Sequence, residues 1–314
     1  MARPFRFGLL SSAGDAGSWQ RDVARAEADG YSSIVLTDHL DLSGAHVTRL
    51  SWLPAFADAL ARTSTLGVSV MVANQDLRHP AVLAREVATL DRLSGGRVEL
   101  GLGAGHVEQE YAWAGIGFDP VRARVGRLAE YAAVVRGLTT AGPETFSFEG
   151  RHFTVSDMPV APTPTQGRIP IMIGGGRPRV LSIAARHADI VNLNLIRDDG
   201  PADEVLAEKV GWVAAAAGDR MAEVELAMSV PVVASGPDAP AAELERAVAR
   251  DPFAQRLASR MGIEALGTAA LTLAGTTTAI AERLHQWRES HGVTYFVLPA
   301  GAADAMAPVL ARLT

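Results

Sequence analysis

Short strand-like runs recur along this chain, and the first four start about thirty residues apart. That spacing is the length of one strand plus one crossover helix. Over the whole chain the apolar periodicity predicts eight strands, at residues 5–10, 33–37, 66–73, 97–102, 169–174, 188–193, 224–234 and 293–298. Eight alternating strand and helix units favour a closed, TIM-like (β/α)8 barrel, in which chemistry collects at the carboxyl ends of the strands. An open doubly wound sheet is the structural alternative.

Helical patterns fit between the predicted strands. They cover residues 16–29, 51–64, 80–93, 121–138, 177–186, 201–217, 276–290 and 303–313. Two intervals are too long for simple connections: residues 106–168 hold one helix and a Pro/Gly-rich tail, and residues 236–275 add a further helical insert. We therefore expect one barrel domain over residues 1–314, with insertions after strands 4 and 7. Such insertions form lids or substrate walls, or are surface excursions without a role.

The composition excludes several classes of protein. The chain has no cysteine, which rules out disulfides, thiolate zinc sites and cysteine nucleophiles. A formal net charge of -6 argues against general nucleic-acid affinity, and of the 29 basic residues only Lys209 is lysine. The N-terminus, MARPFRFGLL, lacks a secretory signal pattern, and no apolar run is long enough to span a bilayer. We therefore expect a cytoplasmic protein with no membrane or nucleic-acid partner, whose cationic phosphate contacts come almost entirely from arginine.

A helix and a strand over residues 74–106 finish in a glycine-rich tip. Pro80 suits the first turn of the helix, and residues 97–102 alternate apolar and polar side chains as a strand does. The tip itself is made of Gly103, Ala104 and Gly105. Because side chains are almost absent there, backbone N–H groups can come close to a ligand.

Two other kinds of cofactor site fit the sequence poorly. A dinucleotide-binding GxGxxG fails, because its third glycine position holds His106 and no helix is expected to begin promptly afterwards. A metal centre is suggested by His39, Asp41 and His46 in close sequence. However, the first strand, FRFGLL, offers no ligand and no HExxH motif follows, so we expect no metal.

Thr37, Asp38 and His39 end the second predicted strand, which places them at the active face of a barrel. A histidine there can exchange a proton near neutral pH, and an adjacent carboxylate can orient it or bind a cofactor group. The structural alternative is an aspartate that caps the following turn beside a satisfied histidine. We favour the functional interpretation.

Two amides, Asn74 and Gln75, end the third predicted strand. An amide at this point can donate to and accept from the edge of a flavin-like ring, although Asn74 also suits the start of a turn. Arg78 and His79 follow, and we interpret them as structural residues that pair with Glu86 or with the barrel rim.

The strongest anion-site signal is the glycine triplet Gly174 to Gly176, which lies between a predicted strand and a helix that opens near Arg177. Free N–H groups at a helix N-terminus bind phosphate or carboxylate, and Arg177 and Arg179 add positive charge. A tight turn is the alternative. We favour phosphate binding, because three glycines exceed what a turn requires.

Four segments carry a resemblance to a known family. They are RHPAVLAREVATLDRLSGG, GRVELGLGAG followed by EQEYAWAGIGF, IMIGGGRPRVLSIAARHADIV and LAGTTTAIAERLHQWRESHGVTYFVL. Together, in this order and nearly end to end, they resemble the luciferase-like flavin and deazaflavin oxidoreductases. The pattern is most similar to the actinobacterial branch that uses coenzyme F420, while related members use FMN.

The resemblance implies a TIM-like barrel with insertions, usually a homodimer, that holds the ring at the strand ends. It implies a third-strand bulge with a non-proline cis peptide at Ala73 and Asn74, and a ring-contacting turn at Gly105 and His106. The residues that it assigns to the cofactor are Asp38, Ala73, Asn74, Gly105, His106, Gln109, Gly174, Gly175, Gly176 and Arg177. It assigns catalysis to His39 and Asp38.

The chain departs from relatives that oxidise sugar phosphates or secondary alcohols. Those carry a glutamate where this chain has His106, and a tryptophan where this chain has Leu42 and Ser43. We therefore expect hydride transfer between F420 and a different small organic substrate, with His39 as proton donor or acceptor. The alternatives are an FMN-dependent monooxygenase that uses oxygen and a non-catalytic paralogue that only binds a cofactor.

Overall fold

The described part of the chain folds into twelve strands and twelve α-helices in a computed structural model. It comprises residues 3–40, 49–196, 200–238, 240–250 and 252–313. The strands are β1 (Arg6–Leu10), β2 (Ser33–Leu36), β3 (Gly67–Asn74), β4 (Val98–Gly103), β5 (Thr145–Glu149), β6 (Thr154–Pro159), β7 (Ile171–Gly175), β8 (Ile190–Leu193), β9 (Glu225–Ser229), β10 (Val232–Ser235), β11 (Thr272–Gly275) and β12 (Val293–Pro299). The helices are α1 (Ala16–Ala28), α2 (Trp52–Arg62), α3 (Pro80–Ser94), α4 (Glu108–Ala114), α5 (Val121–Leu138), α6 (Pro178–His187), α7 (Ala202–Ala217), α8 (Pro240–Arg250), α9 (Pro252–Met261), α10 (Ile263–Thr268), α11 (Thr277–His291) and α12 (Ala303–Leu313). Within these ranges, none of the helices is long and apolar enough to cross a membrane.

Eight of these strands are parallel and close into a barrel in the order β1, β2, β3, β4, β7, β8, β9 and β12. Strand β1 closes the ring, since Leu9 is in register with Ile34 on one side and with Leu298 on the other. All four residues of β2 are buried, as is typical of parallel strands that are covered on both faces. The predicted (β/α)8 barrel is confirmed.

The barrel interior is filled, and its amino-terminal end is closed by an ionic cluster. The interior apolar residues are Val35, Met172, Ile190, Ala227, Tyr295 and Val297. Beneath them, Arg6 pairs with Glu99 and, at 2.7 Å, with Glu225. The described side chains thus block the amino-terminal end and leave the carboxyl-terminal end, where the loops after the strands meet, as the place for a ligand.

The first insertion holds more structure than the predicted single helix and irregular tail, and that prediction is wrong. Besides α5, it contains α4 and the antiparallel hairpin of β5 and β6. Phe146 and Phe148 of the hairpin pack on Val134 and Leu138 of α5. The phenylalanines alternate with polar residues, which is a strand signal, but the surrounding glycines and prolines suggested a loop.

The predicted strand over residues 224–234 is two strands in the structure. The Val230 N–H still donates to the Val297 carbonyl of the barrel at 2.9 Å, but the next residue, Pro231, has no N–H to continue the ladder. Strand β10 therefore leaves the barrel and pairs in parallel with β11. Helices α8, α9 and α10 lie between these two strands in sequence and form the second insertion.

Candidate active site

Strand β3 carries a bulge near the carboxyl end of the barrel. Val70 and Ala73 pair with residues of β4 that are only two apart, so β3 holds one extra residue. The peptide bond between Met71 and Val72, inside the bulge, is cis. The prediction that places the bulge and its cis peptide at Ala73 and Asn74 is therefore wrong by two residues. Ala73 and Asn74 are already back in register with β4.

Glycines on the neighbouring strands make room for this bulge. A Cβ on Gly101 would lie 2.0 Å from the Val70 carbonyl oxygen, and a Cβ on Gly103 would lie 2.3 Å from Cγ2 of Val72. On β7, a Cβ on Gly174 would lie 3.2 Å from Cγ1 of Val72. Three glycines thus surround one valine side chain. Gly101 and Gly103 are therefore explained by close packing of protein against protein.

Gly105, at the end of the tip, makes room for a tyrosine that orients Asn74. Gly105 has a φ of 69°, and a Cβ there would lie 1.8 Å from Oη of Tyr111. Oη of Tyr111 lies 2.7 Å from Oδ2 of Asp76 and 3.0 Å from Oδ1 of Asn74, which also accepts from the Asp76 N–H at 3.1 Å. Burial, followed by the hydrogen bond to Asp76, raises the pKa of Tyr111 to about 12, so the hydroxyl stays a donor. With its oxygen engaged, Asn74 has its NH2 group left to contact a ligand.

Asp38 is held by two donors at the carboxyl end of β2. Its Oδ2 accepts from the Asn74 N–H at 3.0 Å and from Nη1 of Arg78 at 3.2 Å. Burial raises the pKa of Asp38, and the Arg78 charge opposes that effect. Sequence reasoning made Arg78 a structural partner of Glu86, and it does lie 4.0 Å from that carboxylate. Its shorter contact, however, is with Asp38, so Arg78 belongs to the site.

His39 pairs with a buried carboxylate, Glu110. Both Glu110 oxygens lie 3.1 Å from Nδ1 of His39, and Oε1 also accepts from the Leu40 N–H at 2.8 Å. The His39 and Glu110 side chains are 17% and 4% exposed. A carboxylate at Nδ1 places the ring proton there, which leaves Nε2 as the nitrogen that exchanges a proton with a ligand. The ring of His106 stands edge-on to that of His39, with centroids 5.4 Å apart.

Helix α4 carries Glu110, and sequence reasoning missed both. The helix begins at Glu108, so the expectation that no helix follows His106 promptly is wrong. Val107 occupies the N-cap without a capping side-chain hydrogen bond, so the usual sequence signal of a helix start is absent. The resemblance selected Gln109, but Gln109 is exposed and its neighbour Glu110 faces His39.

The glycine triplet at the end of β7 has a packing explanation at each position. A Cβ on Gly175 would lie 2.5 Å from Cγ1 of Val180, and one on Gly176 would lie 2.7 Å from the Asn194 carbonyl oxygen. Close packing therefore accounts for the three glycines without a ligand, and phosphate binding there stays a prediction. Nζ of the buried Lys209 donates to the Gly176 carbonyl at 2.6 Å, and this hydrogen bond holds the chain between β7 and α6 in place.

The remaining anion-binding features lie at the start of α6. Arg177 is its N-cap residue and makes no side-chain capping hydrogen bond. Arg177 and Arg179 are both exposed. The first-turn N–H groups of α6 thus face outward next to two cationic side chains.

A further polar residue, Asn192, lies at this end of the barrel and was not predicted. It is in register with Gly174, and it is buried. Its Oδ1 has no hydrogen-bond partner in the described part of the chain. The sequence signal is the polar pair in VNLNL at a strand end, which resembles an ordinary strand terminus.

Among the described residues, no group of three or more His, Asp or Glu side chains is placed to hold a metal ion. Of the run that suggested a metal centre, Asp41 and His46 lie outside the described residues. Leu42 and Ser43, where some relatives carry tryptophan, also lie outside them.

The barrel, the bulged third strand and the histidine at the second strand end define a class of cofactor-binding α/β barrels. The luciferase-like monooxygenase family matches residues 4–295, and the chain belongs to that family.

Individual relatives agree with this membership, and solved structures share the fold. The chain is 32% identical over 194 residues to an F420-dependent glucose-6-phosphate dehydrogenase of Kineococcus radiotolerans, a match that covers 60% of this chain and 56% of the relative. A solved F420-dependent secondary alcohol dehydrogenase in complex with an F420-acetone adduct has a TM-score of 0.78 at 19% identity, covering 99% of this chain and 100% of that one. EDTA monooxygenase from Chelativorans sp. BNC1 has a TM-score of 0.78 at 21% identity, covering 99% and 94%. The solved structures show the fold, and the chain spans only about half the length of the curated relatives that it matches.

Proposed function

We propose that this protein is an oxidoreductase that transfers a hydride between coenzyme F420 and a small organic substrate. The observation that carries the proposal is the pairing of His39 with Glu110, next to Asp38 and the bulged strand β3, at the open end of the barrel. The names of relatives support the choice of cofactor, since both a curated relative and a solved structure are F420-dependent dehydrogenases.

The residues at the barrel mouth fit the ring of a deazaflavin or flavin. Such a ring presents donors and acceptors along one edge. That edge suits the NH2 group of Asn74 and Oδ1 of Asn192, which has no partner among the described residues. The bulge in β3 and the side-chain-free tip at Gly105 provide backbone surface for the ring face. When bound, F420 would supply the carbon that accepts or donates the hydride.

The phosphate and the anionic tail of the cofactor would lie at the start of α6. The N–H groups of Gly174, Gly175, Gly176 and the first helical turn would face the phosphate, and Arg177 and Arg179 would meet negative charge. The further ring contacts proposed from the resemblance are Ala73, His106 and Gln109.

The proton step falls to His39 in this proposal. Glu110 keeps the ring proton on Nδ1, so Nε2 takes a proton from a substrate hydroxyl or returns one to it. Asp38 is engaged by Arg78 and by the Asn74 N–H, so we propose that it orients Asn74 and does not transfer protons itself. The edge-on ring of His106 would contact a substrate oxygen from the other side.

An FMN-dependent monooxygenase is the alternative function, and the family to which the chain belongs supports it. The two functions are separated by supplying reduced F420 without oxygen and reduced FMN with oxygen. Turnover of an organic substrate with reduced F420 in the absence of oxygen supports the first proposal. Substrate-dependent oxygen consumption with reduced FMN, and no reaction with F420, supports the second. A deazaflavin lacks N5 and reacts poorly with oxygen, so the assays do not overlap.

The homodimer, the cytoplasmic location and the absence of a nucleic-acid partner stay predictions from the sequence. Light scattering on the purified protein measures its mass and tests the homodimer directly. A mass of about twice 33.0 kDa is expected, and a mass equal to one chain would contradict it.

A further inference from the structure

A cavity of about 390 Å³ opens beside the carboxyl end of β2. Its volume is in the range of sites that bind small organic molecules. The apolar part of its lining is Leu40, Leu50, Leu77 and Ala114. Asp38 and His39 line it as well, so a ligand in this cavity shares a wall with the proposed proton donor or acceptor.

Two buried donors in the lining have no acceptor among the described residues. Trp52 is 1% exposed, and its Nε1 has no hydrogen-bond partner in the described part of the chain. Nε of Arg49 is also buried without a partner there. Buried donors without acceptors are rare in folded proteins, because each leaves a desolvated N–H uncompensated. Both residues line the same cavity, which suggests that a ligand supplies the missing acceptors.

The N-terminus of α2 adds further donors at the same place. The helix begins at Trp52, runs for eleven residues, and its N-cap Ser51 makes no side-chain capping hydrogen bond. Its first N–H groups are therefore not satisfied by the cap, and the partial positive charge of the helix end lies at the cavity wall. Leu50 and Ser51 both line the cavity, so this helix end faces it.

Among the described residues of the lining, one positive charge is left uncompensated. Asp38 and Arg78 form an ion pair at 3.2 Å, and both line the cavity. Arg49 makes no ion pair within the described residues. Asp38, Arg49 and Arg78, the charged residues of the described lining, therefore carry a net charge of about one positive unit, which a single anionic group balances.

We propose that this cavity binds a small monoanion, a carboxylate or similar oxyanion, carried on an apolar body of a few carbons. Arg49, Nε1 of Trp52 and the start of α2 would meet the oxygens, and the leucines would meet the hydrocarbon. That this ligand is the substrate rests on the proposed function. The proposal that this ligand binds rests only on the residues that line the cavity.

Hexanoate and hexanamide provide matched probes, since they have the same shape and differ in charge. Each is titrated calorimetrically into the full chain without added cofactor. We expect hexanoate to bind about ten-fold more tightly than hexanamide, since hydrogen bonds to a charged group are worth more than those to a neutral one. The Arg49→Gln variant should reduce that preference to about two-fold. Arg49→Lys keeps the charge and should retain part of it, and Arg85→Gln, an exposed arginine on α3, should change nothing.

Equal affinities for hexanoate and hexanamide in the unmodified chain would overturn this proposal, as would the absence of saturable hexanoate binding. So would an Arg49→Gln variant, folded by circular dichroism, that keeps the full preference. A separate titration with F420 distinguishes the two claims. Hexanoate binding without F420 binding contradicts the proposed function and leaves the cavity site standing. F420 binding without a hexanoate preference contradicts the cavity site alone.

Discussion

Both carboxylate oxygens of Glu110 lie 3.1 Å from Nδ1 of His39, although the two residues are 71 positions apart in sequence. One comes from the end of β2 and the other from a short helix after β4. The contact fixes the histidine tautomer and leaves Nε2 free for the proton step. Glu110 is therefore one of the residues through which the first insertion acts on the site, beside Tyr111, which orients Asn74.

Replacing Glu110 by glutamine should lower turnover of reduced F420 with an organic substrate by about ten- to a hundred-fold, as loss of a histidine's orienting partner does elsewhere. F420 affinity should stay within about two-fold, because glutamine keeps the size of the side chain and changes only the charge of the partner of His39. Glu108→Gln is the matched control, since Glu108 is exposed on the same helix. Equal losses in the two variants would show that Glu110 has no special role.

The His39→Ala variant should lose more, about a hundred-fold or more in turnover, because it removes the proton donor or acceptor itself. Fluorescence titration should show F420 binding close to that of the unmodified chain. Full activity in this variant would exclude His39 from the proton step, and loss of binding would make it a cofactor contact instead.

The Gly103→Ala variant should be less stable than the unmodified protein by about 1–3 kcal/mol, as is usual for overpacking. Its new methyl group would overlap the Val72 side chain in the β3 bulge. Gly211→Ala is the opposite case, since Gly211 lies within α7 with open space around it. That variant should gain about 0.5–1 kcal/mol. Urea unfolding measures both, and a neutral Gly103→Ala would contradict the packing of the bulge.

Asp38→Asn should change how stability depends on pH. Burial raises the pKa of Asp38 above its usual value of 3.8, so the folded state favours the neutral carboxyl group. The contribution of the Asp38 carboxyl group to stability is fully present below the unfolded-state pKa. It is lost as the pH rises through the folded-state pKa. Between these two pKa values, the free energy of unfolding of the unmodified chain should therefore fall relative to that of Asp38→Asn as the pH rises. Above the folded-state pKa, the difference between the two chains should stay constant. Urea unfolding from about pH 4 to about pH 8 checks the sign, with exposed Asp219→Asn as control.

Arg177→Ala and Arg179→Ala should each weaken F420 binding by roughly two- to five-fold, since exposed ion pairs contribute up to about 1 kcal/mol. The losses should shrink as salt is added, because added ions screen exposed charges. Arg85→Ala, an exposed arginine on α3, should leave the affinity unchanged. If both single variants bind F420 as the unmodified chain does, the anionic tail lies elsewhere.

The barrel could be predicted because its signal is local and repeated. Each strand is marked by a short apolar run, and each helix is marked by apolar residues at helical spacing. Eight alternating strand and helix units fit only a few topologies. The placement of Asp38 and His39 at the open end followed from their position after the second strand. The strand break at Pro231 was also readable, but the apolar run continued across it.

The contacts within the site could not be predicted, because they depend on register and on residues far apart in sequence. The extra residue in β3 moves the bulge to Met71 and Val72, and strand periodicity does not locate a bulge. The glycines at 103 and 175 are ambiguous in sequence, since close packing and ligand approach both require a missing side chain. Glu110 lies on a helix without a capping residue, so no local signal pointed to its partner.

Titration of the unmodified protein with F420 and with FMN, followed by cofactor fluorescence, tests the central claim most directly. The proposed function predicts saturable binding of F420 that is tighter than that of FMN, and that weakens in the Arg177→Ala and Arg179→Ala variants. The absence of saturable F420 binding, with or without binding of FMN, would contradict it.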